Sequence, residues 1–316
     1  MNIVFFGSSN FGLLSLEMLL KENHKVLSVI TQPDKKKGRG LSISSTPIKD
    51  YAIKNKLRLY QPEQINSIDS VNFLKNLQVD LFVVIAYGQI LSKEVLNIPS
   101  LMPINLHASI LPAYRGAAPI NWAIINEEKK TGITAIKMIE QLDAGPIIFI
   151  EEIPIEDNDT AITLENKLSI LSAQCLKQSI ELIIKGEHQL LSQDINKVSF
   201  APKLKKDDGL INWECQASQI HNLVKGCLGW PNAFTYLGSK LLKIFKTEII
   251  RENYPESKLN PGEITHISKD GILVATGKDK ILIKELQLEG KRKMQTEEFI
   301  SGQKIAPGTI LGAKMI

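Results

Sequence analysis

Short apolar runs alternate with longer amphipathic segments along the first two thirds of the chain. Residues 2–6 (NIVFF) form an apolar run that stops at Gly7, residues 11–23 (FGLLSLEMLLKEN) repeat apolar positions at helical spacing, and VLSVIT at 26–31 is a second run closed by Gln32-Pro33-Asp34. Strand, helix, strand, with strands apolar on both faces, predicts a parallel sheet covered by helices on each side. The alternation continues with helices over 46–56 and 67–76, strands at 57–60, 80–86 and 102–107, a helix over 118–127, strands at 133–139 and 147–153, and a long periodic helix over 160–185. After residue 186 the texture changes. Residues 198–213 (VSFAPKLKKDDGLINW) read as a charged loop, a helix is expected over 215–227, and five short β-type runs follow: FTYL, LLKIFKTEII, GEITHI, GILVAT and KILIKELQL. Short strands at that spacing predict a small β-barrel. The expected fold class is α/β: a mostly parallel sheet domain over 1–200, a linker at 201–207 and a smaller barrel domain over 208–316.

Length and composition narrow this picture. A chain of 316 residues exceeds one typical core, in keeping with two domains. A hydrophobic fraction of 43% with 23% charged residues excludes global disorder. The longest apolar run, LFVVIAYGQIL at 81–91, is too short to span a bilayer. The first residues lack a basic region and a small-residue cleavage site, so a mature cytoplasmic start is expected. Cys175, Cys215 and Cys227 show no CxxC spacing, which suits a reducing compartment and offers no zinc cluster. Charge is uneven: residues 1–200 carry 20 Lys and Arg against 21 Asp and Glu, and residues 201–316 carry 18 against 13. A basic second part fits either a polyanionic partner or simple solubility.

Four segments carry candidate chemistry. The first turn reads Gly7-Ser8-Ser9-Asn10-Phe11-Gly12, with Ser where a dinucleotide site needs the middle Gly of G-x-G-x-x-G, so a nicotinamide cofactor is disfavoured. In INLHASILPAYRGAAPI at 104–120, Asn105 and His107 stand two apart on an expected strand and leave the same face, at the carboxyl end where open α/β sheets place ligands. An amide and an imidazole there can stabilise an oxyanion; the plainer alternative is a polar strand end satisfied by backbone. Asp143 lies in the turn after strand 133–139. It is either ordinary turn chemistry or, if that turn meets the same sheet edge, a carboxylate able to take a proton beside His107. The connection 32–49 holds Lys35, Lys36, Lys37 and Arg39 with flanking glycines and reads as a phosphate-contacting or a solvated surface loop. Arg115 is an anion clamp or a turn cap. Lys291, Arg292 and Lys293 read as a solvated face.

Taken together, these residues resemble the methionyl-tRNA formyltransferase family over nearly the whole chain. The likeness rests on TQPDKKKGRG (31–40), VVIAYGQIL (83–91), NLHASILPAYRGAAPI (105–120), TGIT (131–134) with LDAG (142–145), and APKLKKDDGLINW (201–213). The Asn-x-His block with LPxYRGxxP is shared by folate-dependent formyltransferases; the GRG loop, the 201–213 block and the added C-terminal domain narrow the match. The resemblance implies a Rossmann-like first domain and an OB-like barrel that helps to hold tRNA. It implies transfer of the formyl group of 10-formyltetrahydrofolate to the methionine amino group of initiator methionyl-tRNA, for translation initiation. The family's catalytic residues fall on Asn105, His107 and Asp143, its folate-contacting segment on Ser109, Ile110, Leu111 and Pro112, and its tRNA loop on Arg39, beside Lys35, Lys36 and Lys37. Ile110 and Ala113 depart from the family's common residues there. A monomer in the bacterial cytoplasm is expected, with no metal and no membrane. Two competing readings are a folate formyltransferase acting on an amino-sugar nucleotide or glycinamide ribonucleotide, which lacks the GRG loop and basic barrel, and a non-catalytic RNA-binding protein, which has no need of Asn105, His107 and Asp143.

Overall fold

The computed structural model describes residues 1–37, 42–251, 259–303 and 305–312. The chain divides into two units: Met1–Pro119 with Lys130–Pro154 and Glu165–Pro202, and Ile120–Lys129 with Ile155–Leu164 and Lys203–Ile316.

The first unit is built on β1 (Asn2–Gly7), α1 (Leu13–Lys21), β2 (Lys25–Ile30), β3 (Lys35–Lys37), β4 (Ser42–Ser44), α2 (Pro47–Lys54), β5 (Leu59–Tyr60), α3 (Ile68–Lys75), β6 (Leu81–Ile85), α4 (Lys93–Leu96) and β7 (Met102–His107). Beyond α5 (Pro119–Ile125), which from Ile120 onward belongs to the second unit, come β8 (Lys130–Lys137), β9 (Ile147–Pro154) and the long α6 (Ala161–Lys185), which belongs to the first unit from Glu165 onward. Seven strands form one sheet in the order β5-β2-β1-β6-β7-β8-β9. Pairing is parallel from β5 to β7 and antiparallel at β7–β8 and β8–β9. The α/β architecture with a mostly parallel, Rossmann-like sheet agrees with the sequence pattern. The continuous apolar runs are buried on both faces: Ile3, Val4, Phe5 and Phe6 of β1 and Leu81, Phe82, Val83 and Ile85 of β6 are fully enclosed. Helices start where the sequence supplies caps. Thr46 accepts from the Lys49 amide ahead of Pro47 in α2, and Ser67 and Ser92 do the same for α3 and α4. The chain leaves β1 toward β2 on one side and returns to β6 on the other, so the carboxyl ends of the parallel strands form the ligand-binding rim of such sheets.

Three details differ from expectation. The 32–49 connection contains an antiparallel pair, β3 with β4, in the register Lys35 to Ser44 and Lys37 to Ser42; three-residue strands are too short to show a period. The single-turn α4 escaped for the same reason. The strand expected at 133–139 runs Lys130–Lys137, antiparallel to β7.

The second unit contains α7 (Ala217–Gly226), β10 (Ala233–Leu237), β11 (Lys240–Ile250), β12 (Ile264–Ser268), β13 (Gly271–Ala275), β14 (Lys280–Leu288), β15 (Met294–Gln295) and α8 (Thr296–Gly302). The strands form an antiparallel sheet in the order β10-β11-β14-β13-β12, with β15 against β14. Residues 308–312 tie its two edges together. Leu311 bridges Leu237 of β10, and Ile310 bridges Glu263 at the start of β12. A sheet with joined edges is the small barrel the strand spacing predicted. Its core gathers Trp213, Ile220, Val224, Leu242, Ile244, Ile264, Ile283, Leu286 and Phe299. The Trp213 indole N–H inside it donates to Thr235 Oγ1 at 3.0 Å.

Candidate active site

Strand alternation sends Asn105 and His107 of β7 to one face, between the apolar Ile104 and Leu106. His107 is 6% exposed. Its Nε2 lies 2.8 Å from the Tyr114 carbonyl oxygen. A carbonyl only accepts, so Nε2 carries the proton and Nδ1 is left to face elsewhere. It faces Asp143: Nδ1 and Oδ1 are 3.6 Å apart, with both side chains less than a tenth exposed. That spacing exceeds a hydrogen bond and lies within ion-pair reach once the imidazole carries a second proton. The other carboxylate oxygen, Oδ2, accepts from the Gly116 amide at 2.9 Å. Asn105 is half-buried, and its carboxamide makes no hydrogen bond among the described residues.

The route by which Asp143 arrives differs from expectation. Because β8 is antiparallel to β7, the turn after it begins at the far end of β7, where the Met138 amide donates to the Pro103 carbonyl. Four residues of strand, on the order of 13 Å, separate that point from His107. The 138–146 connection doubles back to cover the distance. Gly145 is held so closely that a Cβ would collide with the Lys137 carbonyl oxygen. Asp143 itself takes a left-handed conformation, φ +53°.

The segment after β7 is braced from inside. Thr134, opposite His107 in the β7–β8 register and fully buried, donates through Oγ1 to the Ser109 carbonyl (2.7 Å) and accepts from the Leu111 amide (3.1 Å). Ser109 Oγ donates to the Ala113 carbonyl at 2.7 Å, and Leu111 packs on Ile136 and Ile147. The side chains of Ser109 and Leu111 thus point inward, leaving Ile110 and Pro112, half-buried, as the ones of that segment open to a ligand. Gly116 sits at φ +124° against the Ala201 carbonyl, where a Cβ would approach to 2.6 Å. Arg115 is 8% exposed and directs Nε and Nη2 at Gln193 Oε1, which makes it neither a surface clamp nor a simple cap.

The sequence pattern singled out Asn105, His107 and Asp143, and the fold brings His107 and Asp143 together with Asn105 on the same strand face. Thr134, the Tyr114 carbonyl and Gln193 were missed. Thr134 lay within TGIT, where an alternating strand made it look like one more β-branched residue; for Gln193, in a plain polar stretch, no signal existed. Lys35 is exposed in β3. The side chains of Lys36 and Lys37, and Arg39 altogether, lie outside the described residues. Among the described residues no three His, Cys, Asp or Glu side chains stand close enough together to hold a metal ion, and no helix is long and apolar enough to cross a membrane.

The formyl transferase family model matches residues 1–180, and the model of the formyl transferase C-terminal domain matches residues 203–304. The methionyl-tRNA formyltransferase of Acetivibrio thermocellus is 43% identical over 99% of this chain and 100% of its own length. That of Thermodesulfovibrio yellowstonii is 44% identical over 97% of each. Among solved structures, the N-formyltransferase of Helicobacter canadensis in complex with folinic acid and dTDP-3-aminofucose superimposes with a TM-score of 0.67 at 21% identity, covering 89% of this chain and 98% of that one. HypX of Aquifex aeolicus in complex with tetrahydrofolic acid gives 0.64 at 17% identity over 96% of this chain and 48% of that one. At those identities the structures establish the shared fold. The chain belongs to the formyl transferase family and, within it, to the methionyl-tRNA formyltransferases.

Proposed function

We propose that this protein transfers the formyl group of 10-formyltetrahydrofolate to the α-amino group of methionine on initiator methionyl-tRNA. The observation that carries the reading is the buried His107–Asp143 pair beside an Asn105 carboxamide that has no partner among the described residues. That set fits a formyl donor: an unengaged amide donor suits its carbonyl oxygen, and a carboxylate–imidazole edge suits an amine proton. The folate supplies a formyl carbon already activated on nitrogen. The residues supply the rest. Asn105 donates to the formyl oxygen as the amine nitrogen adds to the carbon and the C=O electron pair moves onto that oxygen. Asp143 Oδ1 accepts a hydrogen bond from the amine, His107 Nδ1 takes the one proton that the amine sheds, and the protonated imidazole then holds positive charge next to the new oxyanion. The oxyanion's electron pair then re-forms the C=O, the C–N bond to the folate breaks, and the imidazolium gives its proton to the departing nitrogen. The Tyr114 carbonyl keeps Nε2 as the N–H, so His107 always presents the same nitrogen to Asp143. Fixing both substrates in register supplies much of the remaining acceleration.

The excess of basic residues over 201–316 and the Lys35–Arg39 loop hold the tRNA through its phosphates. On the same reading the protein works as a monomer in the bacterial cytoplasm, divided into a catalytic domain over 1–200, a linker at 201–207 and a tRNA-binding domain over 208–316. The test is formylation of charged initiator tRNA with 10-formyltetrahydrofolate, run beside glycinamide ribonucleotide and a dTDP-amino sugar as acceptors. Formylmethionyl-tRNA as the product, with the small acceptors at least a hundredfold slower, is expected. A preference for either small acceptor overturns the reading.

A further inference from the structure

The segment 191–201 lies outside both matched family domains, which end at residue 180 and resume at residue 203. It nevertheless reaches the site at several points. Leu191 exchanges two backbone hydrogen bonds with Ile147, at 2.8 and 2.9 Å, beside the edge of β9. The Ser199 hydroxyl accepts from the Tyr114 amide at 2.9 Å, and the Ser199 carbonyl accepts from the Arg115 amide at 2.9 Å. The Ala201 amide donates to the Arg115 carbonyl at 2.7 Å. Between these anchors stands Gln193, whose carboxamide is used at both ends. Oε1 accepts from Arg115 Nε (3.1 Å) and Nη2 (2.7 Å), while Nε2 donates to the carbonyls of Asp143 (2.8 Å) and Gly145 (2.7 Å).

We propose that Gln193 is a positioning residue: held by Arg115, it fixes the 143–145 turn so that the Asp143 carboxylate stays on His107. This rests on the function proposed above and extends it to a residue in neither family domain. The chemistry selects glutamine. The turn offers two carbonyl acceptors and Arg115 offers two donors, so the bridging group needs an acceptor and a donor on one planar unit. Glutamate satisfies the arginine and turns a carboxylate toward two carbonyl oxygens. The brace is needed because Asp143 occupies left-handed backbone space, which a non-glycine residue keeps only where surrounding bonds hold it there. Arg115 is itself buried, with no carboxylate at ion-pair distance among the described residues, so Gln193 is its side-chain acceptor. A shift of 1 Å at the carboxylate is enough to cost on the order of a hundredfold in rate.

The experiment compares Gln193→Ala and Gln193→Glu with wild type, alone and in an Asp143→Asn background, by single-turnover formylation, KM for both substrates, Tm, and hydrogen exchange of the peptide covering 141–146. Expected for each single variant is a ten- to hundredfold lower kcat with both KM values within threefold. Gln193→Glu is expected to hold Tm within a few degrees, because its charge pairs with Arg115. In the Asp143→Asn background the same changes should cost less than threefold, since their effect passes through the carboxylate. A kcat within twofold of wild type, or equal losses in both backgrounds, overturns the proposal. Should the wild type formylate no acceptor, the functional reading fails, and the brace is judged on exchange alone: faster exchange at 141–146 in both variants supports it, and unchanged exchange overturns it.

Discussion

Asn105→Ala separates catalysis from stability more cleanly than any other change in the site. The carboxamide has no hydrogen-bond partner among the described residues, so truncation strands no internal group. The position is half-buried on β7, and such substitutions stay within about 0.5 kcal/mol. At roughly 2–4 °C per kcal/mol for a unit of about 200 residues, Tm should move by less than about 2 °C. The kinetic effect is far larger. Removing one donor to a developing oxyanion costs on the order of a hundred- to a thousandfold, or about 2.7–4 kcal/mol. That loss belongs in kcat, with KM for both substrates within threefold, because the bond strengthens only as charge forms. The assay is rapid-quench formation of formylmethionyl-tRNA with enzyme in excess, so that product release does not mask chemistry. His107→Ala is the contrast. It removes the 2.8 Å bond between Nε2 and the Tyr114 carbonyl, adding about 0.5–1.5 kcal/mol of destabilisation to its kinetic loss. A single-turnover rate for Asn105→Ala within threefold of wild type refutes the oxyanion role. A Tm drop as large as that of His107→Ala refutes the claim that the amide is unengaged.

Three other substitutions have measurable expected outcomes, two from the structure and one, at Arg39, from the proposed function. Thr134→Val keeps the shape of a fully buried side chain but leaves the Ser109 carbonyl and Leu111 amide without that bond, for roughly 2–6 kcal/mol and a Tm fall of at least about 4 °C; a melt within 2 °C of wild type removes the brace. His221, bonded through Nδ1 to Thr247 at 2.8 Å, has its imidazole pushed down to about 4, first by burial and then by Lys225. The unfolded chain, titrating near 6.5, takes up that proton first, so the stability contribution is full above about pH 6.5 and is lost as pH falls toward 4. Discounted for partial solvent screening, wild type should lose about 1–2 kcal/mol more than His221→Gln between pH 7.5 and 5, and parallel denaturation curves refute this. Arg39→Ala should raise KM for tRNA and reduce the slope of log KM against log salt by about 0.7–0.9, the share of one phosphate contact, with KM for the folate unchanged; an unaltered slope refutes the loop's role.

What the sequence made legible followed physical period. Continuous apolar runs such as NIVFF and LFVVI marked the parallel strands because both faces are covered, and the short runs after residue 233 marked the barrel because each ends in a turn. Asn105 and His107 were readable because a strand's two-residue period places them together without long-range knowledge. Asp143 was readable only as a candidate: the argument from a shared sheet edge assumed a turn at the near end of β7, and the antiparallel β8 places it at the far end. The 308–312 closure, the Thr134 brace and the 191–201 strap were not readable. Each is a hydrogen bond between segments distant in sequence, and no local pattern encodes its partner.

The site's two left-handed residues explain why that distant support matters. Tyr114 stands at φ +62° and Asp143 at φ +53°. Aspartate tolerates this region and tyrosine less so, each at a cost of about 1–2 kcal/mol. In return the backbone directs the Tyr114 carbonyl to His107 and the Asp143 carboxylate to Nδ1, contacts an ordinary turn would not present. Each conformation is held on two sides. Tyr114 donates its amide to Ser199 and offers its carbonyl to His107, while Asp143 offers its carbonyl to Gln193 and its carboxylate to the Gly116 amide. Two of those four bonds come from the 191–201 segment. The orientation of the imidazole and carboxylate is therefore set in part from outside the family's first domain, and shortening that segment should disorder the site before it unfolds the sheet.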